Sequence, residues 1–151
     1  MKGIHGPKLP RWHRFGLTLV LGAAWGTGLT LLWARYFGRH EGPLGPETHW
    51  LESPARTAHG LAIFLTLLAL GTLVPSHFQS GWRTGTRRRS ALAMAGTAAT
   101  MILTGWGLYY ASNESFRQGL SWTHSALGLL LFPLFFLHSR RRPSGGSKNA
   151  P

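Results

Sequence analysis

The 151-residue chain has no cysteine, no aspartate and only four glutamates. Without cysteine there are no disulfides, iron–sulfur clusters, thiolate zinc sites or thioether-attached haem. The carboxylates are as informative by their position. Glu41, Glu47, Glu52 and Glu114 all lie in the polar stretches between apolar blocks. No acid or lysine lies inside an apolar block, which argues against coupled transport. A non-haem metal enzyme would cluster its histidines with carboxylates, and that pattern is missing. Nor is there a Ser/His/acid set for nucleophilic catalysis, a nucleotide motif or a flavin motif.

What the chain does have is four long apolar blocks: Phe15 to Phe37, Ala58 to Val74, Ala91 to Ala111 and Leu120 to Leu137. Each approaches the roughly 20 residues that a helix needs to cross a hydrocarbon core about 30 Å thick. The mean hydropathy of −0.02 is low only because the ends and loops are polar. The expectation is an all-α, four-transmembrane-helix bundle over residues 1–140. Its helices should run at about 14–37, 56–75, 90–111 and 120–138, followed by a disordered cytoplasmic tail at 141–151, "RPSGGSKNAP" being of low complexity. The first block is too long for a signal-peptide core and has no convincing cleavage site after it, so it reads as a retained span.

The net charge of +12 is unevenly placed. Twelve basic residues and no acid fall in 1–14, 76–90 and 138–151, whereas every glutamate falls on the other side with Arg35, Arg39, Arg56 and Arg117. The positive-inside rule then puts both termini in the cytoplasm. The Arg87-Arg88-Arg89 run suits anionic lipid headgroups. No recognition module for nucleic acid is visible, so none is expected as a partner. Tryptophans and tyrosines gather near the span ends as an interfacial belt. Gly22, Gly26 and Gly28 in the first block and Gly96, Gly105 and Gly107 in the third suit close helix packing. No internal repeat is evident.

Of the eight histidines, His5, His40 and His49 lie in polar segments. The other five lie in or beside spans, where an imidazole is costly enough to need a reason. His59 and His124 each sit near the outer start of a span, and those two spans run in the same direction. His77 and His138 follow or end the same spans on the inner side. His124 and His138 are fourteen residues apart, which is about 21 Å and within about 40° around a helix axis. His59 and His77 are eighteen apart, or about 27 Å on an unbroken helix. Pro75 can end that helix and bring His77 to a shallower depth. His13 is the rival inner partner of His138.

Two depths, each with an imidazole from both spans, is what bis-histidine ligation of haem b requires, with one or two haems. Gly60 and Gly128 lie beside the outer pair in sequence. Arg56 on the outer side and Arg83 on the inner side are candidate partners for haem propionates. Two axial histidines leave iron no open position, which favours electron transfer over oxygen chemistry. The competing reading is a cofactor-free structural or assembly subunit, its histidines interfacial and its glycines there for packing.

The stretches "RTAHGLAIFLTLLALGTLVPSHFQSGWRTG", "GWGLYYASNESFR" and "SWTHSALGLLLFPLFFLH" resemble small bacterial four-helix membrane b-type cytochromes. The likeness covers roughly residues 12–140. The eighteen-residue interval departs from the fourteen usual in cytochrome b. The resemblance implies an electron-transfer subunit in the bacterial inner membrane, part of a larger oxidoreductase. It would link a quinone pool or inner-side donor to an outer-side partner such as a periplasmic cytochrome or oxidoreductase.

Overall fold

The computed structural model describes residues 10–43, 45–73 and 88–140, the side chains of Ser90 and of residues 138–140 excepted. Four helices make up most of it: α1 (Arg11–Tyr36), α2 (Glu52–Gly71), α3 (Arg88–Tyr110) and α4 (Glu114–Arg140). All four are long and apolar enough to cross a membrane. The shortest, at 20 residues, spans about 30 Å at 1.5 Å per residue. Between α1 and α2 the chain forms a small antiparallel hairpin of β1 (His40–Gly42) and β2 (Gly45–Glu47), with His40 opposite Glu47. The hairpin was not expected from the sequence. Gly45 turns it at φ +115°, a conformation that disfavours a side chain.

The helices begin earlier than their apolar blocks because their first turns are polar, and that of α4 is capped by a side chain. Asn113 Oδ1 accepts the Phe116 N–H at 2.9 Å, which starts α4 six residues ahead of the expected Leu120. α2 starts at Glu52, with Pro54 in its first turn, where a missing N–H costs nothing. An acid at that position also suits the positive end of the helix dipole. The Glu52 N–H bonds to the His49 carbonyl at 2.9 Å, and the Leu51 N–H to His49 Nδ1 at 3.2 Å. The His49 ring meets Trp33 edge-on, centroids 5.1 Å apart, and so ties the loop to the end of α1. At its other end α2 stops at Gly71, four residues before the expected Pro75. There the Thr72 hydroxyl takes the Ala69 carbonyl at 2.6 Å.

Packing follows three extended seams among the described residues: α1 with α2, α3 with α4, and α1 with α4. Each is antiparallel. Along the first, His13 pairs with Thr72 at one end, the Thr66 hydroxyl with the Val20 carbonyl in the middle, and Gly38 abuts His49 at the other end. Along the third, Trp25 stacks on Phe132 and Tyr36 on Trp122. The start of α1 and the end of α4 therefore lie at one end of the assembly, together with the start of α3 and the end of α2. Among the described residues the interior is thin: Leu17, Leu21, Ala24, Ala34, Ala55 and Ala62 are the buried apolar ones. Large apolar side chains such as Phe64, Leu68, Leu103 and Leu130 face outward, which suits helices apolar enough to meet lipid.

Candidate functional site

His59 of α2 and His124 of α4 come together although those helices share no extended seam. Their ring centroids are 6.4 Å apart and their planes cross at 89°. Equal depth arises because α2 and α4 run in parallel and each places its histidine in its second turn or third turn. His59 reaches across to α1, and His124 to α3.

Each ring is held by its neighbouring helix in the same way. His59 Nδ1 lies 3.0 Å from the Ala24 carbonyl and 3.2 Å from Thr27 Oγ1. His124 Nδ1 lies 3.0 Å from Thr104 Oγ1, which also lies 3.2 Å from the Met101 carbonyl. The threonine protons are already committed. Thr27 donates to the Ala23 carbonyl at 2.7 Å, and Thr104 to the Thr100 carbonyl at 2.8 Å. The Ala24 carbonyl can only accept, which puts the His59 proton on Nδ1; with the Thr104 proton kept on its own helix, His124 would carry its proton on Nδ1 as well. Among the described residues neither Nε2 has a hydrogen-bond partner, and each keeps a free lone pair.

Glycine completes each cradle. A Cβ at Gly28 would lie 3.1 Å from His59 Cε1, and one at Gly105 would lie 3.2 Å from His124 Cε1. The glycines against the rings are therefore Gly28 and Gly105, while Gly60 has open space beside it and Gly128 approaches Met101. The order is the same on both helices: a carbonyl, a threonine three residues on, and a glycine after that. Ala24, Thr27 and Gly28 of α1 match Met101, Thr104 and Gly105 of α3. The sequence shows no overall repeat, yet this local arrangement occurs twice. Its signal was the Thr-Gly dipeptide in two spans running the same way.

The other expected site residues are less completely placed. Arg56 pairs with Glu52 at 2.6 Å and is itself exposed. A guanidinium has five N–H donors, so one ion pair leaves it others. Glu52 is 6% exposed, and its second oxygen has no partner among the described residues. His13 directs Nε2 to the Thr72 hydroxyl at 3.1 Å. His77, Arg83 and the side chain of His138 lie outside the described residues, and with them the expected inner pair. Among the described residues no group of three or more His, Cys, Asp or Glu could hold a metal ion.

Four helices long and apolar enough to cross a membrane thus bring the imidazoles of His59 and His124 together, their centroids 6.4 Å apart. No known protein family, curated protein or solved structure matches the chain.

Proposed function

We propose that the protein is a membrane b-type cytochrome subunit in which His59 and His124 would hold one haem b. The observation that carries this reading is the ring separation. A metal–imidazole bond of about 2.0–2.1 Å, plus about 1.1 Å from nitrogen to ring centre, would put two rings sharing one metal at most roughly 6.2–6.4 Å apart. The centroids of His59 and His124 are 6.4 Å apart. The anchored Nδ1–H and bare Nε2 of each ring are also what a ligating histidine needs. Two protein ligands suffice for haem, because the porphyrin supplies the remaining four, so the lack of a larger ligand cluster does not oppose it.

When bound, the haem supplies a one-electron carrier. The chain's own residues orient the ligands and exclude water, since both cradles lie within apolar helices. On this reading the chain sits in the bacterial inner membrane with both termini cytoplasmic. It passes electrons between a quinone pool or inner-side donor and an outer-side redox protein. An inner haem on His138 with His77 or His13 is the extension of the same reading.

Reduced-minus-oxidised spectra and a pyridine haemochrome assay on protein purified from haem-replete cells test it. The expected result is a b-type spectrum, with haem lost in His59→Ala and in His124→Ala. Protein purified without haem would leave the cofactor-free scaffold. A His59/His124 double variant with full haem content would show that the ligands lie elsewhere.

A further inference from the structure

The duplicated cradle fixes more than the tautomer. A ring plane is set by two points of contact, and each imidazole has them: Nδ1 on a threonine oxygen and Cε1 against a glycine. The threonines cannot turn away freely, since their protons are spent on their own helices. Together these contacts hold the ring planes at 89°.

We propose that Thr27 and Thr104 are positioning residues that keep the two imidazoles in the Nδ1–H form with their planes crossed. This rests on the haem reading above. If the rings hold a haem, crossed planes would leave two iron d orbitals nearly equal in energy and give the ferric form a strongly anisotropic low-spin paramagnetic signal. Parallel planes separate those orbitals and give a rhombic signal instead. The Nδ1–H···O bond also adds anionic character to the imidazole, which favours the ferric state and lowers the midpoint potential. The two sides are unequal. His59 retains the Ala24 carbonyl at 3.0 Å if Thr27 is lost, whereas Thr104 is the 3.0 Å partner of His124.

The test uses the full chain, purified with its haem, as wild type and as Thr27→Val, Thr104→Val, Thr27→Ser and Thr104→Ser. Low-temperature electron paramagnetic resonance and a redox titration are the readouts. The wild type should show the anisotropic signal. Each valine, nearly the same shape as threonine, should move the signal toward rhombic and raise the potential, Thr104→Val by more. Each serine should restore both. Haem-loaded wild type with a rhombic signal overturns the proposal, as do valine variants whose signal and potential match the wild type. If a valine variant loses its haem, a serine variant that keeps haem and signal supports the hydroxyl's role. A serine variant as empty as the valine overturns it. Wild type without any haem would sink the functional reading itself, which separates the two failures.

Discussion

Gly28 offers the sharpest perturbation of the site. A methyl group there would meet His59 Cε1 at 3.1 Å, and one at Gly105 would meet His124 Cε1 at 3.2 Å. Ordinary contact begins at 3.4 Å, so the rings must retreat by about 0.3 and 0.2 Å. A ligand constellation tolerates about 0.5 Å of error, so alanine should loosen the site without destroying it. Overpacking costs about 1–3 kcal/mol, and a retreat this small belongs at the lower end. About 1 kcal/mol corresponds to roughly fivefold weaker haem binding. Replacing glycine inside a helix meanwhile gains about 0.5–1 kcal/mol of backbone stability. Gly28→Ala should therefore lower haem affinity while leaving thermal stability almost unchanged. Gly28→Val, with a second clash, should approach the upper end, about 3 kcal/mol or over a hundredfold. Gly60→Ala is the control, since a Cβ there meets nothing within 4 Å. Haem titration of the apo-protein in detergent, beside a thermal melt, reads both quantities. If Gly28→Val and Gly105→Val bind haem like the wild type, or Gly60→Ala loses as much, the cradle has been misread.

Further outcomes follow from particular contacts. Arg56→Gln removes the partner of a buried carboxylate and should cost about 1–2 kcal/mol, mostly restored by adding Glu52→Gln; a double-mutant cycle from thermal melts measures this. His13→Ala should cost about 0.5–1.5 kcal/mol through the lost Thr72 bond and leave the haem-to-protein ratio unchanged; a fall in that ratio would make His13 a ligand. Phe132→Ala removes the stack on Trp25 and should cost about 2 kcal/mol, less than a fully buried phenylalanine, seen as a lower melting temperature. Because the chain has no cysteine, single cysteines can report topology: Glu41→Cys should react with an impermeant reagent from outside, and Lys148→Cys only after the cells are opened.

How far the sequence reveals this molecule depends on the kind of information each feature needs. Four apolar blocks and their charge asymmetry were enough for the helices, because a span is announced by its own composition. The meeting of His59 and His124 was also legible, since depth can be counted from the start of a span. Helix starts were misjudged where a polar turn such as Asn113-Glu114 precedes the apolar run and hydropathy is blind to capping. The glycines that pack against the imidazoles were not visible in the sequence for a spatial reason. Gly60 and Gly128 are near the histidines along the chain, but an imbedded ring projects away from its own helix and needs room on the next. Gly28 and Gly105 supply that room, and only the pairing of α1 with α2 and of α3 with α4 reveals them.

The seam between α1 and α4 is much slighter than the seams inside each hairpin, and among the described residues it is the main tie between the two halves. In the proposed holo-protein, iron would form one bond to a residue of each half. The cofactor then acts as a removable rivet, in a chain that has no disulfide to do that work. Anything that binds only the folded form stabilises it. The survival of the chain in the cell would then track haem supply, with starved molecules parting down the middle and meeting membrane proteases first.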